Sequence, residues 1–190
     1  MPRRLLLTIA ALSLAALAGV SGCADQVSPA ARVGDTTVSH ADLMTEVEEW
    51  AGNDATQAAV DLPQGAHRFA MASVSGILSE RILLEMVANE FDRLDLEVTD
   101  DDRSAVLGVL GIDPSQEEAL LGGFSDEYRE HYLDAYAKGV AVQTELGDDD
   151  FVAFLHDAAQ DVEVSSRYGT WNASSFQVVP PTAPAADTET

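Results

Sequence analysis

The sequence predicts a mainly α-helical domain with a short strand near each end, and three observations carry that expectation. Aromatic residues make up only 6% of the chain while Ala and Leu are frequent, a balance that favours helices over a sandwich or barrel. Apolar residues recur at helical spacing over long stretches, most strongly between His67 and Leu94. Side chains suited to capping helix N-termini (Ser39, Thr99 and Ser125) stand directly ahead of such stretches.

At the N-terminus, Arg3 and Arg4 make a short positive region. Leu5–Leu17 is an apolar run broken only by Thr8 and Ser13, and Gly19–Gly22 is small-residue chain. The run is too short to span a bilayer comfortably, so 1–22 reads as a signal peptide. Val20-Ser21-Gly22-Cys23 resembles the lipobox of bacterial lipoproteins. That resemblance implies cleavage ahead of Cys23, a diacylglyceryl thioether on its sulfur, and an extracytoplasmic protein anchored to the cell membrane through lipid such as palmitate. Two acyl chains hold a protein on a membrane where one binds only marginally. Cys23 is the only cysteine, so a lipidated chain has no disulfide and its stability must come from packing. Residues 24–31 read as a polar spacer behind the lipidated Cys23, completing a 23–31 tether.

Charge narrows the function. Removing Arg3 and Arg4 with the signal leaves eight basic residues against thirty-three acidic ones, a net charge of −25. Such a surface repels nucleic acid and anionic headgroups, which assigns the membrane link to lipid. Lys138 is the only lysine and no glycine-rich phosphate loop carries it, so neither nucleotide nor nucleic acid is an expected partner. About 150 residues between signal and tail suit one domain.

From Arg32 onward, Arg32–Val38 reads as a strand or tight hairpin turning at Gly34-Asp35. Ser39 caps a helix from His40 to Trp50 with Leu43, Val47 and Trp50 on one stripe. Ala51–Gly65 reads as a loop because it holds Gly52, Asn53, Pro63 and Gly65. A long helix runs from His67 to Leu94, with Ala70, Val74, Ile77, Leu84, Val87, Phe91 and Leu94 inward and Glu80, Glu85, Asp92 and Arg93 opposite. Thr99 and Asp102 make an acidic capping box for the next helix. Pro114 opens a short helical segment to Leu121, Gly122-Gly123 breaks it, and Ser125 caps a helix over 126–146 in which Tyr128, Tyr132, Tyr136 and Val140 are spaced by four. Asp148-Asp149-Asp150, acids at the positive end of a helix dipole, open a last helix to Ala159. Asp161–Val164 reads as a second short strand and Ser165–Val179 as extended chain. Pro180–Thr190 is Pro-, Ala- and Thr-rich, and the disordered tail is placed at 173–190.

Three segments in this order carry a further resemblance: "RVGDTTVSHADL" at Arg32–Leu43, "ANEFDRLDLEVTDDD" from Ala88, and "DVEVSSRYGTWN" ending at Asn172. Together they resemble the chaperone core of the SurA and PrsA family of extracytoplasmic foldases, over a domain at 32–172. The resemblance implies a SurA N-terminal-like helical core with a two-stranded β clasp joining its ends, Val33, Val38, Val162 and Val164 being the natural pairing residues. It also implies a cradle of helices that binds unfolded or secreted polypeptide clients without nucleotide. The two long helices form the cradle walls in such a core, giving Val74, Ile77, Leu84, Tyr128, Tyr132 and Tyr136 as candidate polypeptide-binding residues, although a tyrosine stripe at this spacing more often fills a core than lines a groove. The chain departs from the family in leaving only Gly147 between its last two helices, where a parvulin-type isomerase domain stands in full-length members. Catalysis is therefore not implied.

Other chemistry has little support. His40, His67, His131 and His156 are scattered without metal-ligand spacing, and the acidic triplets lack the Gly and Glu positions of a calcium loop. Nothing resembles a nucleophile elbow. The expected function is a tethered holdase for polypeptides. The alternative is an envelope adaptor for one protein, whose partner the acidity would make basic. An enzyme comes third, with no residue constellation behind it.

Overall fold

The structure, a computed structural model, describes residues 28–60 and 69–181. The signal at 1–22, Cys23, the first part of the spacer and residues 182–190 of the tail lie outside the described residues. The protein is mainly helical, with two small antiparallel sheets.

Strands β1 (Pro29–Val33) and β2 (Thr36–Ser39) form the expected hairpin, turning at Gly34, whose φ of +58° costs a glycine little. Strand β3 (Val162–Val164) pairs antiparallel with the other edge of β1, setting Val33 opposite Val162 and Ala31 opposite Val164. The clasp thus has three strands in the order β2-β1-β3, not two. It also begins earlier than the spacer at 24–31 allowed. Pro29–Ala31 belong to β1, and Ala30 and Ala31 are fully buried. Their small apolar side chains read as linker in sequence, but in the sheet they permit close packing on the helices beneath.

The helices follow their caps. In α1 (His40–Gly52), Ser39 Oγ accepts from the Asp42 amide at 3.1 Å. The loop expected over 51–65 holds α2 (Asp54–Val60). Asn53 organises that junction from a buried position: its Oδ1 accepts from the Ala55 amide and its Nδ2 donates to the Leu120 carbonyl. Long helix α3 (Met71–Arg93) is followed by α4 (Asp100–Val109), which starts in the expected Thr99–Asp102 capping box. A 3-10 turn at Pro114–Gln116 leads into α5 (Glu117–Leu121). Helix α6 (Asp126–Leu146), capped by Ser125, meets α7 (Asp148–Ala158) through Gly147 alone, at φ +78°. Among the described residues no helix is long and apolar enough to cross a membrane.

The tail at 173–190 also begins too early in the sequence reading. Strands β4 (Thr170–Asn172) and β5 (Gln177–Val179) form a second sheet, and Val178 is buried. Two buried serines of α3 hold this segment down. Ser75 Oγ donates to the Tyr168 carbonyl at 2.8 Å, and Ser79 Oγ accepts from the Val178 amide at 2.8 Å while donating to the Ser75 carbonyl. Trp171 Nε1 donates to the Ala159 carbonyl, and the Tyr168 hydroxyl meets His40 Nδ1.

Two apolar clusters result. The larger lies under the sheets and joins Val33 and Val38 to Leu43 and Val47 of α1 and to Val74, Ile77, Leu78, Ile82 and Met86 of α3. The smaller joins Val87 and Phe91 to Ala141 and Val142 of α6.

Gly169 sits at φ +132° with its α-carbon against the Val179–Pro180 backbone, so a methyl group there collides with the Val179 carbonyl oxygen. Gly169→Ala is expected to lower the unfolding free energy by about 2 kcal/mol or more, read from urea midpoints. An unchanged midpoint would show that the second sheet contributes nothing to cooperative unfolding.

Candidate functional site

Helices α1, α3 and α6 come together around a line of aromatic and acidic side chains. Tyr128, Tyr132 and Tyr136 follow one another up α6, with ring centroids 5.9 and 5.0 Å apart, and Phe124 and Trp50 pack against the lower rings. Each hydroxyl is used. Trp50 Nε1 donates to Tyr128 Oη at 2.7 Å, and Tyr128 donates in turn to Glu46 Oε1 at 3.1 Å. Tyr132 and Tyr136 both donate to Glu80 Oε1, at 2.9 and 2.6 Å. Burial first, and the neighbouring carboxylates second, hold all three phenols well above their ordinary range, so they act as donors and not as bases.

Glu46 is the most perturbed carboxyl. It is 6% exposed, and burial raises its pKa from 4.5 to about 7 against the opposing pull of Arg81 and the Tyr128 hydrogen bond; Glu80 and Glu85 add to the rise. Arg81 is itself committed: its Nη2 pairs with Glu85 at 2.7 Å and its Nη1 donates to His131 Nε2 at 3.3 Å, while its buried Nε finds no acceptor among the described residues.

Two concavities border this network. A cleft of about 780 Å³ opens between α1, α3 and α6, with Glu46, Arg81, Tyr128, Glu130 and His131 among its lining. An apolar groove of about 200 Å³ lies between α3, α6 and α7, with Leu84, Val87, Val140, Phe151 and Leu155 in its walls and Val109 at the end of α4. Tyr136 and Glu80 face the groove.

The six candidate polypeptide-binding residues therefore do not share one surface. Val74 and Ile77, at 4% and 2% exposure, fill the core beneath the sheets, and Tyr132 is buried within its ladder. These three are corrected from groove to core, since sequence periodicity finds the buried stripe of a helix and cannot say what covers it. Leu84 and Tyr136 line the apolar groove, and Tyr128 lines the polar cleft. Cys23 lies outside the described residues.

Glu46, Glu80 and Arg81 are what the sequence reading missed. Glu80 and Glu85 were assigned to the solvent side of α3, yet both are half-buried. A signal existed: Glu46 stands three residues after Leu43, and Glu80 stands three after Ile77 and four before Leu84. Both occupy inward stripes that a solvent-facing acid would avoid. Among the described residues no group of His, Cys, Asp and Glu could hold a metal ion. No family model matches the chain, and no curated protein or solved structure matches it.

Between pH 4.5 and 7 folded Glu46 keeps a proton that the unfolded chain has lost, so its contribution to stability declines as pH rises through that window and is constant above it. The full penalty is about 3 kcal/mol at most. Glu46→Gln retains an acceptor for Tyr128 and is expected to be the more stable protein at pH 8, by about 1–3 kcal/mol, with the advantage fading by pH 4.5. Urea unfolding of both proteins at the two pH values decides it; an advantage that does not depend on pH would rule out an ionisation penalty at Glu46.

Proposed function

We propose that this protein is a membrane-tethered, extracytoplasmic chaperone-like lipoprotein that holds unfolded or secreted polypeptide without nucleotide or isomerase chemistry. The observation that carries this reading is the apolar groove between α3, α6 and α7. Its walls are Leu83, Leu84, Val87, Val140, Phe151 and Leu155, and the Val109 side of it is 57% exposed. At about 200 Å³ it is smaller than the roughly 300–1,000 Å³ of pockets that enclose whole small molecules. That size suits one or two apolar side chains of a longer chain, held weakly and exchanged readily. Such binding needs no chemical step, in keeping with phenols that serve only as donors. Val152, exposed on α7, adds apolar surface on the same helix as Phe151. The lipobox at Val20–Cys23 supports the tether, and the order of strand, helices and strand agrees with the resemblance to the SurA and PrsA core.

The second reading, an adaptor for one envelope protein, is favoured by the larger cleft, whose charge patterning exceeds what promiscuous apolar binding requires.

The full chain is expected to slow aggregation of several unrelated unfolded proteins at a few-fold molar excess. Val109→Asp with Leu84→Gln should weaken that effect several-fold while leaving the thermal midpoint nearly unchanged, because Val109 is exposed and Leu84 only partly buried. Light scattering against three clients checks it. No suppression of any client would exclude the holdase and leave the adaptor. Separately, cells fed labelled palmitate should label the wild-type protein and not Cys23→Ala, which should also leave the membrane fraction; equal labelling of both would exclude lipid on Cys23.

A further inference from the structure

We propose that the end of the domain around Ser28, Met71, Arg167 and Val179 is a membrane-contacting surface, which rests on the lipid headgroups beside the anchored Cys23 and holds the apolar groove away from the bilayer. The proposal rests on the reading of Cys23 as the lipidated residue and adds which face of the domain meets the membrane.

Three observations lead to it. The first is the place where the tether joins the fold. Ser28 stands five residues after Cys23, so even a fully extended chain separates the two by at most about 17 Å. The Ser28 carbonyl accepts from the His40 amide at 2.9 Å, and the His40 ring meets the Tyr168 hydroxyl. The Tyr168 carbonyl in turn accepts from Ser75, in the first turns of α3. The tether therefore enters at the N-terminal end of α3. The turn between β1 and β2 lies at the other end, where Thr36 and the Val33 carbonyl bond Asn89, fourteen residues and about 21 Å along the helix from Ser75.

The second is apolar surface at the same end. Met71 precedes Ser75 by one helical turn and is 41% exposed. Val179 is 50% exposed, and its backbone lies against Gly169, next to Tyr168. The exposed Pro180 and Pro181 continue that edge. Among the described residues the other exposed large apolar side chains are Val109, at the groove, and Val152, on α7. Met71 and Val179 gain by leaving water at headgroup level, but two such side chains bind a membrane weakly. The acyl chains supply the affinity, and these residues supply the orientation.

The third is charge. Arg167 is exposed, lies over the Tyr168 ring and pairs with no acid within 4 Å among the described residues. Both acidic triplets lie toward the far end of α3. Asp100–Asp102 follow Val98 and Asp148–Asp150 precede Phe151, and Val98 and Phe151 pack against the cluster of Val87 and Phe91. Anionic headgroups repel an acidic domain most where its acids come within a Debye length, about 8–10 Å, and the tether spans only about two such lengths. Turning Arg167 toward the headgroups and the triplets away is then the lower-energy arrangement. Asp42, held by Ser39 at the edge of the cleft, bounds the contact on the α1 side. Leu84 stands thirteen residues from Met71, about 20 Å along α3, so the groove opens clear of the headgroups.

The test uses the full chain, made with its signal in bacteria and checked for acyl chains by intact mass. With Cys23 acylated, an added cysteine is the single free thiol. A fluorophore is placed in turn at the exposed positions Met71→Cys, Val179→Cys, Val109→Cys and Val152→Cys, and each protein is reconstituted in vesicles of phosphatidylcholine and phosphatidylglycerol. Nitroxide-labelled lipid is expected to quench the labels at 71 and 179 several-fold more than those at 109 and 152, and aqueous iodide to show the reverse order. Arg167→Glu should reduce that contrast without moving the thermal midpoint. Equal quenching at all four positions, or stronger quenching at 109 and 152, overturns the orientation and leaves the lipid anchor intact. Labels at 71 and 179 that iodide reaches freely also overturn it, and leave this end to a protein partner. A mass without acyl chains overturns the anchor and the orientation with it.

Discussion

Helix α3 must satisfy neighbours of three different kinds, and the rest of the structure depends on how it does so. One face meets the sheets and α1 through Ile77, Leu78, Ile82 and Met86, another meets α6 and α7 through Val87 and Phe91, and Ser75 and Ser79 meet backbone. A helix buried on several sides cannot show a clean amphipathic stripe, so its sequence mixes apolar, small and acidic residues at inward positions. The serines belong to this constraint. An apolar residue at 79 would leave the Val178 amide without its acceptor, and the penalty for an orphaned buried donor is about 1–3 kcal/mol. Asn89 does similar work at the other end of the helix, accepting from Thr36 and donating to the Val33 carbonyl, so that the hairpin is fixed to α3 by polar as well as apolar contacts.

The acidic character of the chain reaches inward as well as outward. Glu46 and Glu80 are kept in a partly dry environment by tyrosine hydroxyls, and a lone guanidinium, Arg81, stands between Glu85 and His131. A purely apolar contact here would be easier to stabilise, because buried charge is costly and well-packed apolar substitutes are often no worse. The tyrosine ladder gives the contact a fixed geometry instead, each ring set against a neighbouring ring and held by a hydrogen bond. The polar cleft and the apolar groove both draw their lining from α3 and α6.

Local chemistry was legible from sequence and long-range chemistry was not. The caps at Ser39, Thr99 and Ser125, the turn at Gly34 and the junction at Gly147 depend on residues a few positions apart, and each occupies its expected place. Helix α2 was hidden because its start signal, Asn53, also serves as a turn residue, and its Nδ2 acts on Leu120, remote in the chain. The start of β1 at Pro29–Ala31 and the second sheet were hidden for the same reason. Ala30 and Ala31 carry no β signal, and what makes them a strand is Val162–Val164 alongside. At the candidate site, periodicity found Leu84 and the tyrosines but treated every inward residue alike, so Val74 and Ile77 were grouped with a surface from which the sheets exclude them.

The position of β1 in the middle of its sheet has a consequence for the order of assembly. Its first partner, β2, is made within a few residues, but its second, β3, follows only after more than a hundred, when most of the helices already exist. The central strand must therefore wait with one edge unpaired, and closing so long a loop is slow compared with forming the hairpin or the helices. A chain delivered N-terminus first would carry a hairpin and a helical cluster with its main apolar seam open until Val162 arrived. That interval is when the protein would itself be most exposed to aggregation and to proteolysis. The length of helical chain between β1 and β3 thus sets a clock on maturation, and insertions into the loops between α4 and α6 would lengthen it while leaving the finished fold nearly as stable.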